Sequence, residues 1–188
     1  MSVARSWDRV IEWYGANTPP GTLTMSPGAT REELAELEEL VGERLPDEIR
    51  ESYALYNGSK GWILYHGALR SLAEIATEWQ TFRELQDEGW FGLPRQLESA
   101  EIRSVWWSPL RLPITDNGGG DPVMLDLDPA WGGTRGQIIK FNHEVGPINL
   151  LGRGLTDWLD RIARELLSGT HAYSESSMMV CPVAWGRS

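Results

Sequence analysis

The 188-residue chain has 17 basic and 27 acidic side chains, a formal net charge of −10 and an apolar fraction of 41%. This is the composition of a globular domain, and the excess of acid argues against direct binding to the phosphate backbone of nucleic acids. No apolar run reaches the roughly 18 to 20 residues that a membrane span needs, and the first residues lack a signal-peptide pattern. A single cysteine, Cys181, cannot form an internal disulfide. We expect one domain, residues 1–188, in the cytoplasm and away from membranes.

Three helices are predicted in the first third of the chain. Apolar residues at helical spacing indicate the first helix: Trp7, Val10, Ile11 and Tyr14. Thr30 followed by Glu33 is a capping box, which predicts a second helix that Gly42 ends. Pro46 suits the first turn of a third helix, which closes at residues 57–58.

The middle of the chain predicts a short strand, a fourth helix and a long loop. Residues 61–67 are largely apolar and bounded by glycines, as expected for the first strand of a sheet. Ser71 and Glu74 form a second capping box at the start of the next helix. Residues 87–103 have no apolar period and are interpreted as an insertion or a loop.

A meander of three strands is predicted between residues 110 and 143. In its central strand Val123, Leu125 and Leu127 alternate with Met124, Asp126 and Asp128. This alternation predicts one buried face and one face that reaches water. Turns rich in glycine lie on either side of this strand and supply the reversals of direction.

A closing helix and a tail follow the meander. Leu155, Trp158 and Leu159 begin an apolar stripe at helical spacing that continues to residue 166. The tail, residues 170–188, is too apolar for a disordered extension and is expected to pack back, in part as a strand. Together these elements predict an α+β domain.

Three blocks of this sequence, in this order, resemble the SUKH superfamily. The first contains Pro27-Gly28, an acidic helix, Leu45-Pro46 and Tyr56-Asn57-Gly58; the second is 61–79; the third is 110–143 followed by 155–166. The similarity is to the branch that holds the yeast Smi/Knr cell-wall-assembly regulator and many bacterial immunity proteins, and it covers roughly residues 7–167. Arg111 departs from the pattern, because the family often has an aromatic residue there.

This resemblance implies a fold and a function. The fold would be an antiparallel or mixed β-sheet, with a meander in the second half and helices packed mainly on one face. The function would be that of an immunity protein, which binds the toxin domain of a bacterial polymorphic-toxin system and blocks it without chemistry or cofactor. Many such toxins are nucleases with basic surfaces, so an acidic partner would associate quickly and cover the substrate groove.

The acidic side chains indicate where such a partner could bind. Between Arg111 and Arg135 lie four aspartates and no Lys or Arg: Asp116, Asp121, Asp126 and Asp128. A second acidic run lies on the second predicted helix: Glu32, Glu33, Glu36, Glu38, Glu39 and Glu43. Either run can be a solvated face and nothing more. The sharper hypothesis assigns the four aspartates to an acidic face that steers a basic protein.

Ten tryptophans are the other unusual feature. Four of them fall on helical stripes and are interpreted as core: Trp7, Trp13, Trp79 and Trp158. Four others lie in predicted loops, where they can either cover the core or anchor an interface: Trp90, Trp106, Trp107 and Trp131. Trp131 is the preferred partner-binding anchor, because it follows the acidic run and could give an apolar centre with an acidic rim.

Two alternatives to the immunity function stay open at this point. The same fold could serve as a scaffold or regulatory module that binds an endogenous protein. A metal-assisted hydrolase would require Asp126, Asp128 and His143 to converge, although the sequence has neither paired histidines at helical spacing nor paired cysteines. We expect a protein that is not an enzyme and holds no metal.

Overall fold

A computed structural model describes residues 2–92 and 99–186, with backbone only for 185 and 186, and it has an α+β architecture. Its helices are α1 (Val3–Asn17), α2 (Arg31–Val41), α3 (Asp47–Leu55), α4 (Leu72–Asp87) and α5 (Leu155–Leu167). Its strands are β1 (Thr24–Pro27), β2 (Tyr56–Lys60), β3 (Ala68–Leu69), β4 (Arg111–Pro113), β5 (Thr115–Asp116), β6 (Val123–Asp126), β7 (Gln137–Asn142), β8 (Gly146–Gly152), β9 (His171–Ser174) and β10 (Met179–Pro182). No helix among the described residues is long and apolar enough to cross a membrane.

Local signals in the sequence set the helix boundaries. Both predicted capping boxes are confirmed, since the Thr30 and Ser71 hydroxyls accept from the backbone N–H three residues on and the Glu33 and Glu74 carboxylates accept from the cap residues. Gly42 ends α2 in the left-handed conformation, with φ of 76°. These caps satisfy backbone groups that the helix itself leaves unpaired.

The central sheet is the antiparallel meander that the sequence predicts, with one strand more. Its strand order is β4-β6-β7-β8, and smaller two-stranded sheets pair β1 with β2, β3 with β5, and β9 with β10. All of these pairs are antiparallel. Helix α5 packs on β7 and β8 and also on α1, while α4 contacts β4. This arrangement encloses one apolar core, which includes Trp7, Ile138 and Trp158.

Two predictions about strands are wrong. Residues 61–67 form a loop with a single 3-10 turn at Leu64–His66, and strands β2 and β3 lie on either side of it. Strand β6 has no face that reaches water, because all four of its residues are buried. The alternation of residue types therefore reflects a polar residue with a buried partner, which the next subsection describes.

The C-terminal tail folds as a hairpin of β9 and β10. Val180 in β10 is buried within the same apolar core as the helices, and β10 contacts the 3-10 turn at residues 64–66. In the segment predicted as an insertion or a loop, residues 99–103 are irregular, and residues 93–98 lie outside the described residues.

Candidate protein-binding site

Asp126, one of the four predicted steering aspartates, lies in the interior. Its side chain and that of Arg111 are both 0% exposed, and Arg111 Nε lies 3.4 Å from Asp126 Oδ1. Gln137 Nε2 donates to the other carboxylate oxygen at 2.9 Å. A carboxylate held in this way cannot contact a partner at the surface, so the assignment of Asp126 to the interface is wrong. The physical reason is the cation at Arg111, which makes burial of the charge possible.

The buried pair fixes the segment that precedes the meander. Arg111 donates to the Val105 and Arg103 carbonyl oxygens, at 3.0 and 2.8 Å. Burial lowers the pKa of Arg111, and the charge of Asp126 opposes that shift. The Trp107 indole N–H also contacts this residue, because it donates to the Arg111 carbonyl oxygen at 3.0 Å. The departure from the family pattern at Arg111 is thus matched by Asp126, directly opposite it on β6.

The remaining predicted residues lie at two opposite ends of the sheet. Strands β4 and β6 are antiparallel, with Arg111 opposite Asp126. Asp116, at the end of β5, and Asp121 therefore lie on the segment that enters β6 at one end, and Asp128 and Trp131 lie on the loop that leaves it at the other. A four-residue strand alone separates these loops by about 10 Å. The prediction of one continuous acidic face is wrong for this geometric reason.

The end that carries Asp128 and Trp131 has balanced charge. Asp128 Oδ1 pairs with Arg103 at 2.7 Å, and Arg135 pairs with Glu43 at 2.9 Å. Trp131 is 92% exposed. The predicted role of Trp131 as an anchor therefore stays a prediction, but the acidic rim expected around it is largely neutralised by arginines.

The other end, residues 116–121, which we name the acidic turn, keeps its carboxylates at the surface. Asp116 Oδ1 accepts from the Gly118 N–H at 2.8 Å and lies 3.5 Å from Arg70. Asp121 Oδ1 accepts from the His143 backbone N–H at 2.9 Å and lies 2.9 Å from His143 Nδ1. Burial opposes ionisation of Asp121, but the hydrogen bonds from His143 outweigh it and lower the pKa of that carboxyl.

An aromatic groove opens beside the acidic turn. It has a volume of about 290 Å³, and five aromatic side chains line it: Phe82, Trp90, Phe91, Trp106 and Phe141. Gly120 and His143 line it from the acidic turn and from the end of β7, and Glu78 lines it from α4. An apolar centre with an acidic rim, the arrangement that the sequence suggests for Trp131, is thus present at a different place.

Sequence reasoning missed this groove because four separate segments contribute to it. Phe82 comes from α4, Trp90 and Phe91 from the loop after it, Trp106 from the segment before β4, and Phe141 from β7. The signal that could have indicated it is the pair of tryptophans predicted to lie in loops, Trp90 and Trp106. Of the other tryptophans, Trp7, Trp79, Trp107 and Trp158 are buried, and Trp13 packs against the core.

The convergence that a metal-assisted hydrolase needs does not occur. Asp126 is bound to Arg111 and Gln137, Asp128 to Arg103, and His143 to Asp121. Within residues 2–92 and 99–186, no group of three or more His, Cys, Asp or Glu side chains could hold a metal ion.

The chain is similar to a known family over most of its length. The family model described as the SMI1 / KNR4 family (SUKH-1) matches residues 28–161. A glucan synthesis regulatory protein of Neurospora crassa is 23% identical over 206 residues, which cover 89% of this chain and 39% of the relative. The cell wall biosynthesis/cell cycle regulator smi1 of Schizosaccharomyces pombe is also 23% identical, over 89% of this chain and 36% of the relative. The F-box only protein 3 of Homo sapiens is 32% identical over 72 residues, 38% of this chain and 15% of the relative. The chain thus spans well under half the length of these relatives.

Proposed function

Because the chain belongs to the SMI1 / KNR4 family (SUKH-1), we propose that it acts by binding another protein through the acidic turn and the aromatic groove. The observation that carries this proposal is the position of the two features side by side at one end of the central sheet. Binding sites of this anatomy place aromatic side chains at the centre, where water is excluded, and polar groups at the rim.

In its sharper form, the proposal is that the partner is the toxin domain of a bacterial polymorphic toxin and that the chain is its immunity protein in the cytoplasm. A net charge of −10 supports a basic partner, because opposite net charges accelerate encounter. A nuclease domain is the most suitable basic toxin, since its substrate groove must attract phosphates. Occlusion of that groove would stop the toxin without any reaction on the immunity protein.

A second candidate is a regulatory module that binds an endogenous protein. Two of the relatives, which match 89% of this chain, are named as regulators of glucan synthesis and of cell wall biosynthesis. Binding through the same surface would serve both functions, so only the identity of the partner separates them.

The test first identifies the genes next to the one that encodes the chain and then co-expresses the candidate toxin domain with the chain. If a neighbouring gene encodes a large secreted protein with a variable C-terminal domain, that domain is expressed alone and together with the chain. Immunity predicts that cells stop growing with the domain alone, recover with the chain, and yield a complex of the two proteins on purification. Growth arrest that persists despite well-expressed chain contradicts the immunity form, and the regulatory candidate then stands.

A further inference from the structure

The aromatic groove has walls suited to a flat or extended side chain. The Phe91 and Trp106 rings are nearly parallel, 15° apart, with centroids separated by 6.2 Å. Phe82 lies against Phe91 and Phe141, with ring centroids 5.9 and 5.5 Å apart. Trp90 stands at the mouth, 72% exposed, and its indole N–H donates to Glu88 at 2.7 Å. Phe82 and Phe141 are buried and form the floor of the groove, so its accessible aromatic surface belongs to Phe91, Trp106 and above all Trp90.

The charges around the groove are mainly negative. Five carboxylates lie on its wall, on the acidic turn or on the adjoining loops: Glu78, Glu88, Asp116, Asp121 and Glu144. Among the residues that the structure describes, two cations contact these groups. Arg70 lies 3.6 Å from Glu78 and 3.5 Å from Asp116, and Lys140 donates to the Asp121 carbonyl oxygen at 2.6 Å. Among the described residues that line the groove itself there is no Lys or Arg.

We infer that the groove accepts an arginine side chain of the partner protein. This inference rests on the proposed function and names the chemistry that the partner presents. An apolar side chain would fit the walls but would add nothing to offset the excess of negative charge, which Arg70 and Lys140 balance only in part. A guanidinium satisfies both features, because it stacks on aromatic faces and its stem packs against apolar walls while its N–H groups reach the carboxylates.

Arginine fits better than lysine for a physical reason. The guanidinium is planar and more weakly hydrated than an ammonium, so it loses less when it enters an aromatic groove. The molecule already contains one contact of this type, with the Arg83 guanidinium carbon 5.5 Å from the centre of the Trp79 ring. That contact lies outside the groove, since neither Arg83 nor Trp79 is among the described residues that line it.

The test uses blocked five-residue peptides with the full chain. The peptides are Gly-Ser-X-Ser-Gly, where X is arginine, its uncharged isostere citrulline, or norleucine. Indole N–H signals of the ¹⁵N-labelled chain are followed by NMR, with Trp90 and Trp106 as reporters in the groove and the exposed Trp131 as an internal control. We expect the arginine peptide to shift Trp90 and Trp106 saturably, with a dissociation constant on the order of millimolar, and Trp131 to stay in place.

Variants locate the effect. Trp90→Ala removes an exposed aromatic side chain and Glu78→Gln removes one charge. Each is expected to lower the affinity for the arginine peptide by about threefold or more. Glu36→Gln, on the exposed side of α2, is the matched control and should leave the affinity unchanged. The citrulline and norleucine peptides should bind at least about fivefold more weakly than the arginine peptide.

Three outcomes would overturn the inference: equal affinity for norleucine and arginine, equal shifts at Trp131 and Trp90, or no shift of Trp90 and Trp106 up to the solubility limit of the arginine peptide. Failure here differs from failure of the proposed function. If the chain does not bind the arginine peptide but forms the complex in co-expression, the proposed function stands and the arginine inference is refuted. If the chain binds the arginine peptide but no protein partner, the arginine inference stands and the proposed function is refuted.

Discussion

At the scale of single residues, the Arg111–Asp126 pair decides what the acidic segment presents to solvent. A fully buried ion pair adds little net stability, because desolvation of the two charges offsets their attraction. Removing one partner is different, since the other charge then stays buried and unpaired. Arg111 also holds the Val105 and Arg103 carbonyls, so its position organises the segment that carries Trp106 and Trp107.

We therefore predict that Asp126→Asn lowers the free energy of unfolding by about 3 to 5 kcal/mol. The double variant Arg111→Met/Asp126→Leu should recover only part of that loss, because it removes both charges but also the Arg111 hydrogen bonds to the Val105 and Arg103 carbonyl oxygens. Urea denaturation followed by tryptophan fluorescence measures both. Asp116→Asn, at an exposed position, is the control and should change stability by no more than about 0.5 kcal/mol. A small effect of Asp126→Asn would contradict the buried pair.

His66 gives a second prediction at this scale. Its side chain is buried beside the Tyr65 and Trp158 rings, and burial, with a smaller effect of the Lys140 charge, lowers its pKa from 6.5 to about 4. Between these two pH values the unfolded chain binds a proton at His66 that the folded chain does not. The contribution of neutral His66 to the free energy of unfolding is therefore fully present above pH 6.5, and it is lost as the pH falls toward 4.

From pH 7.5 to pH 5, this histidine should cost about 2 kcal/mol of unfolding free energy. His66→Gln, which cannot take up the proton, should show a shallower loss over the same range by about that amount. Urea unfolding at the two pH values gives the comparison, whatever the absolute stability of the variant. Equal pH slopes for the two proteins would show that His66 is not held neutral by burial.

At the scale of elements, the parts of the fold that local chemistry sets were predictable and the parts that distant contacts set were not. The capping boxes at Thr30 and Ser71 are written in four residues each, and both helices start where they indicate. Residues 61–67 looked like a strand, but the Tyr14 hydroxyl, from α1, accepts from the Leu64 N–H at 2.8 Å and donates to the Trp62 carbonyl oxygen at 3.1 Å. That contact spans about fifty residues, and it holds Leu64 at φ of 52°.

The candidate site divides in the same way. The surface positions of Asp116, which is exposed, and Asp121, which is partly exposed, were predictable, because an Asp beside a run of glycines belongs in or next to a turn. The burial of Asp126 was not, since it depends on its strand partner Arg111. The aromatic groove was not predictable either, because sequence shows which aromatic residues lie in loops but not which of them meet.

Gly28 provides the prediction at the scale of elements. It follows β1 and passes so close to the end of α3 that a Cβ there would overlap the Ala54 carbonyl oxygen. Gly28→Ala must therefore displace β1 from α3, and we expect a loss of about 2 kcal/mol or more of unfolding free energy. Gly15→Ala is the matched control, because nothing lies within 4 Å of a Cβ at that position in α1. It should stabilise the protein by about 0.5 to 1 kcal/mol in the same urea experiment. A loss from Gly28→Ala no larger than about 0.5 kcal/mol would show that the close approach is not required.

At the scale of the whole molecule, a net charge of −10 is distributed over more than one surface. Helix α2 exposes Glu32, Glu36 and Glu39, and the acidic turn exposes Asp116. A general attraction for basic proteins would use all of these charges alike. The proposed function assigns partner binding to the acidic turn in particular, because the aromatic groove lies beside it.

The most direct measurement compares association rates with the partner for two variants that each lose two charges. One is Asp116→Asn/Asp121→Asn, in the acidic turn, and the other is Glu32→Gln/Glu36→Gln, on α2. Asparagine is chosen in the turn because its side chain keeps the oxygen that accepts from the Gly118 and His143 N–H groups. The association rate is measured by stopped-flow at about 50 mM salt. The turn variant should associate about fivefold more slowly than the unaltered chain, and the rate of the helix variant should lie within about twofold of the unaltered chain's rate. The difference between the two variants should vanish near about 500 mM salt. Equal slowing by the two variants, or no slowing by the turn variant, would contradict the account.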